Sequence, residues 1–293
     1  MKKKRHMRFV NIMTVLLFPY LTTIFVNGYD TAVLKRKPEP EKLLPVLLET
    51  QISSDHEMET LKAQAVIARS NLYRKLGENE KENTDTDKND SQNERNNIPG
   101  ICRELCREIP AWWKLWEKSD SVYEEAVKDT SGQVLTVDGE LKLVPYHEIS
   151  AGHTRDGKTA FHNEEYTYLA GVDSSADKNA PDYLNSTYIM KQQLPEELKI
   201  AEREDSGYVV SLMADEDILE AESFVRGMGI DSADFSMQKN GDQIRFLSKG
   251  KGHGLGFSQY GGNQLAKEGK SWQEILHTYF PLMELTDVNE LLT

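Results

Sequence analysis

Four glycines alternate with other residues at positions 250, 252, 254 and 256, and they enclose His253. Missing a side chain at every second position, such a stretch can take positive φ and let a strand or a ligand approach its backbone closely. His253 then sets a donor, an acceptor or a base among the glycines. The run continues through Ser258-Gln259-Tyr260-Gly261-Gly262 into a helical pattern over Gln259–Glu268. It has neither Walker spacing nor a G-x-G-x-x-G motif between strand and helix, so it is not a phosphate loop. Ser258 and His253 do not form a G-x-S-x-G elbow, and a spacing of five says nothing about approach in space, which argues against a serine hydrolase. Taken alone, the run is either a structural corner or a site.

The surrounding pattern predicts mixed α+β structure. Met58, Leu61, Ala65, Ala68, Leu72 and Leu76 recur at three- and four-residue spacing behind Ser54 and Glu57, which read as a capping box. Residues 77–97 contain no apolar side chain and cannot offset ordering entropy by burial, so they read as a disordered insertion. Trp112, Trp113, Trp116, Val122 and Val127 suggest a helical region that packs on a core or presents a sugar-stacking surface. Gln133–Val137 and Glu140–His147 flank Asp138-Gly139, the signature of a β-hairpin with a primed turn. Further strands are expected at Tyr188–Gln192, Tyr208–Met213, Phe235–Gln238 and Gln243–Ser248, with a turn at Asn240-Gly241. Helices are expected at Glu220–Met228 and Ser271–Tyr279 as well. Strands and helices do not alternate regularly, which favours a single α+β domain over a parallel α/β sheet.

The ends of the chain speak to location. Lys2, Lys3, Lys4, Arg5 and Arg8 precede a mostly apolar stretch from Phe9 to Gly28, long enough at helical rise to cross a bilayer. The basic flank would stay cytoplasmic and the rest would lie outside, as a single-pass protein of the cell membrane. A cleaved signal peptide would also mean export, although no A-x-A site precedes Tyr29. Residues 29–44 then read as a stalk, 45–281 as the domain and 282–293 as a C-terminal tail. The formal charge of −13, with so many basic residues at the N-terminus, leaves an acidic body that argues against nucleic acid as a partner. Cys102 and Cys106 are the two cysteines of the chain. Their spacing suits a disulfide poorly and leaves free thiols or half of a metal site open.

Several segments, in order, resemble the stage II sporulation protein D (SpoIID/LytB) family. They are Leu61-Lys62-Ala63-Gln64-Ala65-Val66-Ile67-Ala68-Arg69, then His147-x-x-Ser150-x-Gly152-x-Thr154, then Tyr168-Leu169-Ala170-Gly171-Val172-Asp173-Ser174, and finally Gly252-His253-Gly254-Leu255-Gly256-Phe257-Ser258-Gln259-Tyr260-Gly261. The resemblance implies a membrane-tethered domain outside the cell membrane that acts on the glycan strands of peptidoglycan. In sporulating bacteria such proteins cleave stripped strands during engulfment, alongside an amidase and a membrane complex; other members stimulate an autolytic amidase. It further implies a glycan groove bordered by Lys62, Gln64, Arg69, His147, Ser150, His253, Ser258, Gln259 and Tyr260.

Lytic transglycosylation needs a carboxylic acid held protonated until it donates to the glycosidic oxygen; the sugar's own 6-hydroxyl then closes a 1,6-anhydro end. The family places that glutamate ten residues before the Leu of L-K-A-Q-A, and here the position reads Gln51. Glutamine keeps the shape but has no acidic proton. On an extended segment Glu49 would share a face with Gln51, about 6 to 7 Å away, and could stand in as the acid. Without such a substitute, the chain is a glycan-binding protein or an amidase activator. Some members also hold zinc on histidine and cysteine; here Cys102 and Cys106 would need a distant further ligand, so no cofactor is expected unless zinc binds there.

Overall fold

The computed structural model describes residues 40–85 and 120–291, with side chains through Glu78 in the first segment. Phe9–Gly28, Cys102, Cys106, Trp112, Trp113 and Trp116 lie outside the described residues. Within them, no helix is long and apolar enough to cross a membrane.

The compact unit begins at Pro40, so the expected stalk gives way to structure five residues before Pro45. Helix α1 (Pro40–Gln51) carries Pro45 in its interior. The proline removes one amide donor, but fully burying Leu44, Leu47 and Leu48 outweighs that loss. Helix α2 (Met58–Asp85) runs through the start of the segment read as an insertion. Once a helix is nucleated, each added residue costs little, and the Arg74–Glu78 pair at 2.6 Å spans one turn there. At its other end no Ser54–Glu57 box forms. Instead the Glu57 N–H donates to Asn263 Oδ1 at 2.8 Å, a contact from the far end of the sequence.

Helix α2 differs from the amphipathic reading in being buried on all sides from Thr60 to Ser70 apart from Lys62. Leu61, Ala65, Ala68 and Leu72 pack against α1 and α3 (Ser121–Asp129), while Ala63, Val66 and Ile67 face a second core with Leu135, Phe257, Ile275 and Phe280. A helix sheathed in this way must satisfy its polar residues internally. Ser70 does so by donating to the Val66 carbonyl and accepting the Leu135 N–H.

The Asp138-Gly139 turn forms, both residues having positive φ and Val137 exchanging two backbone hydrogen bonds with Glu140. The hairpin beyond it does not. Strand β1 (Gln133–Thr136) pairs antiparallel with Glu284–Asp287, within the expected C-terminal tail. The returning chain is drawn off because the Asn71 side chain on α2 satisfies both backbone groups of Val144, at 2.7 and 3.0 Å. That chain yields only β2 (Tyr146–His147).

After a short helix α4 (Gly157–Phe161), β3 (Leu184–Met190), β4 (Leu198–Arg203), β5 (Val209–Ala214) and β6 (Asp217–Glu220) lead to α5 (Ala221–Met228) and the hairpin β7 (Phe235–Asn240) and β8 (Gln243–Lys249). These form two three-stranded sheets, β3-β8-β7 and β4-β5-β6, which share a third core around Tyr208, Phe224, Phe235 and Phe246. β9 (Phe257–Ser258) pairs parallel with β2 and leads directly into α6 (Gln259–Lys267). Helix α7 (Trp272–Tyr279) has a complete Ser271/Glu274 capping box, and β10 (Glu284–Asp287) and α8 (Val288–Leu291) close the fold. The architecture is α+β, as the sequence suggested.

Candidate functional site

Gln51 is the last residue of α1, Gln64 lies inside α2 and Gln259 opens α6, and their side chains meet. Gln64 Nε2 donates to Gln51 Oε1 at 3.0 Å. Gln259 Nε2 reaches both the Gln51 backbone carbonyl at 2.8 Å and Gln64 Oε1 at 3.2 Å. Gln64 and Gln259 are buried; Gln51 alone of the three is partly exposed. The position where the family resemblance implies an acid therefore lies against two motif residues, and its side-chain partner is an amide.

Glu49 does not share a face with Gln51. The extended backbone required for i and i+2 to share a face is absent, because Pro40–Gln51 is helical and two helical steps turn the side chain by about 200°. Glu49 is exposed, on the side of α1 near Tyr123.

Lys62 pairs with Glu59 at 2.9 Å and Asp129 at 3.0 Å, away from the amides. Arg69 is fully buried and works as a clamp. Its guanidinium holds the Glu41 carboxylate of α1 at 2.9 to 3.2 Å and the carbonyls of Val127, Thr130 and Gln133 at 2.8 to 3.2 Å. It therefore fastens α1, α3 and β1 to α2 and has no face left for a sugar.

The glycine run lies against the β2 segment, and all four alternating glycines have positive φ. A Cβ on Gly252 would come within 2.8 Å of the His147 Cβ, and one on Gly254 within 2.3 Å of the Tyr208 hydroxyl. This packing brings the His147 and His253 rings to 5.7 Å. His147 is buried; its Nδ1–H donates to the Leu255 carbonyl at 3.0 Å, and Nε2 has no partner among the described residues. Burial, then the neighbouring His253, lowers its pKa to about 3. His253 Nδ1 accepts the Leu255 N–H at 3.1 Å, and burial followed by the Arg155 charge lowers its pKa to about 4. Both imidazoles are neutral at physiological pH.

Ser150 and Ser258, expected at a groove, are fully buried on a residue that no motif marked. Asp177 Oδ2 accepts from the Ser150 N–H at 2.8 Å, Ser174 Oγ at 3.0 Å and Ser258 Oγ at 2.8 Å. Burial raises the Asp177 pKa and the serine donors oppose that rise. Its sequence signal is slight, an isolated aspartate three residues beyond Ser174. Tyr260 is partly exposed, and its N–H donates to the Glu148 carbonyl at 3.0 Å. An open cleft of about 500 Å³ lies elsewhere, lined by His153, Thr154, Asp156, Gly171, Glu204 and Asp205, and none of the three glutamines lines it.

Comparison with known proteins places this arrangement. Residues 32–137 match the family model described as SpoIID, stage II sporulation protein. Stage II sporulation protein D of Bacillus subtilis is 25% identical over 254 residues, covering 83% of this chain and 73% of the relative. That of Bacillus amyloliquefaciens is 24% identical over 255 residues with the same coverage. An uncharacterised Brachyspira hyodysenteriae protein is 24% identical over 288 residues, 93% of this chain and 73% of the relative. By the motifs from Leu61 to Gly261 and by these matches, the chain is similar to the stage II sporulation protein D family.

Proposed function

We propose that this protein is a sporulation-associated cell-wall protein that binds peptidoglycan glycan strands at the Gln51–Gln64–Gln259 cluster without cleaving them, held outside the cell membrane by Phe9–Gly28. One observation carries the reading: Gln51, at the position where the resemblance expects the acid, is hydrogen-bonded by Gln64 and Gln259. An amide can exchange hydrogen bonds with sugar hydroxyl and acetamido groups, but it has no proton to give a glycosidic oxygen. Glu49, turned away on the helix, supplies none to that point. Activation of a cell-wall amidase fits a binder of this kind, since a partner presented on the strand gains effective concentration without new chemistry.

The test uses glycan strands stripped of stem peptides. The wild-type protein is expected to be retained on them and to release no anhydro-ended fragments by mass spectrometry, whereas Gln51→Glu gains such fragments. Anhydro ends from the wild type would overturn the non-cleaving reading, and failure to bind the strands would remove the glycan assignment.

A further inference from the structure

We infer that Asp177 is the positioning residue of the glutamine cluster, setting through Ser258 where Gln259 meets Gln51, although it touches neither glutamine. The inference rests on the reading of that cluster as the glycan site.

The chain of contacts is short. Ser258 is the N-cap of α6, and its Oγ accepts the Gly261 N–H at 3.3 Å. A hydroxyl has one hydrogen, and here it goes to Asp177 Oδ2 at 2.8 Å, which leaves a lone pair turned toward Gly261. Asp177 therefore fixes both the rotamer of the cap and the direction in which the helix starts. Gln259 is the next residue, and its amide leaves that first turn to reach the Gln51 carbonyl. The first turn is also pressed onto the hub with no side chain between: a Cβ on Gly261 would fall 2.1 Å from the Tyr279 hydroxyl, 2.5 Å from Ser174 Oγ and 2.8 Å from Asp177 Oδ1.

The same carboxylate ties down the other two motif segments. Ser150 belongs to the run that begins at His147, and Ser174 ends the Tyr168–Ser174 segment and shares a 2.8 Å hydrogen bond with the Tyr279 hydroxyl. Three stretches far apart in sequence thus take their mutual placement from one oxygen atom. Asp177 is fully buried, so it cannot meet a glycan itself, and its influence has to pass through the groups it holds.

The test uses the full chain labelled at glutamine nitrogen, with the side-chain amide signals of Gln259 followed by NMR alongside retention on stripped glycan strands. Asp177→Asn keeps the shape but weakens the acceptor. It is expected to shift the Gln259 side-chain signals toward those of free glutamine and to weaken strand binding about tenfold. Phe246→Leu, a core change in the distant sheet region with a comparable loss of stability, should leave both readouts unchanged. If Asp177→Asn does not fold, Ser258→Ala, which removes only the linking hydroxyl, carries the same expectation. Gln259 signals that stay at their wild-type positions overturn the inference whatever the strands do, as does a shift accompanied by wild-type strand affinity. A wild-type protein that ignores the strands while the Gln259 signals still move would sink the glycan reading and leave the positioning of the cluster standing.

Discussion

The paired histidines should make this protein lose stability between pH 7 and pH 5, and the size of the loss follows from their surroundings. In the unfolded chain both imidazoles titrate near 6.5. In the fold His147 is lowered to about 3 and His253 to about 4, in each case chiefly by burial. These are depressed bases: below 6.5 the unfolded state takes up two protons that the folded state refuses until pH approaches 4. The stabilisation is therefore present above pH 6.5 and is lost as pH falls through that window. Integrating proton uptake from pH 7 to pH 5 gives about 2 kcal/mol for each ring and about 4 kcal/mol for the pair. Against a typical domain stability of about 5–15 kcal/mol that is a large share. Burial raises the carboxyl pKa of Asp177, Glu222 and Asp234, and these groups act with the opposite sign by binding protons more readily in the fold. The informative quantity is thus the difference between proteins. His147→Asn keeps a donor for the Leu255 carbonyl and His253→Asn keeps an acceptor for the Leu255 N–H. Urea unfolding at pH 7, 6 and 5 at fixed ionic strength should show each variant losing about 2 kcal/mol less than the wild type over that range. Equal pH slopes in wild type and variants would refute the argument, because they would mean that the rings titrate normally in the fold.

Two further outcomes test the corrected roles of particular segments. Arg69→Ala leaves Glu41 and three carbonyls without their buried donor and should cost at least about 3 kcal/mol in urea unfolding at neutral pH, whereas a residue that only met substrate would leave stability near wild type. Deleting residues 284–293 strips the partner of β1 and the buried Val288; at about 1 kcal/mol per lost ladder bond plus the buried side chain, stability should fall by about 3 kcal/mol or more, whereas loss of an unpaired tail would leave the unfolding midpoint in place.

What the sequence revealed and what it hid divide along the range of the interactions involved. The helix expected over Ser271–Tyr279, the Asp138-Gly139 turn and the positive-φ glycines are decided within a few residues, and each formed as its local chemistry requires. The partner of β1 was not readable, because Gln133 pairs with Asp287 across half the chain, and the returning arm of the competing hairpin is held by the distant Asn71 and Tyr168 side chains at Val144 and Leu143. Residues 29–44 read as a stalk, yet the buried Leu44, Leu47 and Leu48 decide for helix from Pro40 onward. The same helix parts Glu49 from Gln51, since whether residues two apart share a face depends on a conformation fixed by that burial.

The candidate site shows why several motif positions are held by the fold whatever residue stands at position 51. Ser258 and Ser150 bind Asp177, and Arg69 clamps three elements, so these positions are demanded by the fold whether or not any bond is cleaved. Position 51 is under no such demand. The amide oxygen of Gln51 accepts from Gln64 Nε2, and a glutamate oxygen would accept from the same donor. The contact from Gln259 goes to the Gln51 backbone carbonyl, which is the same for either residue. Exchanging Glu for Gln at this point leaves each of these hydrogen bonds in place and removes only the acidic proton. The match across the other motifs therefore speaks for the fold and the shape of the cluster, and none of the contacts at position 51 distinguishes glutamine from glutamate.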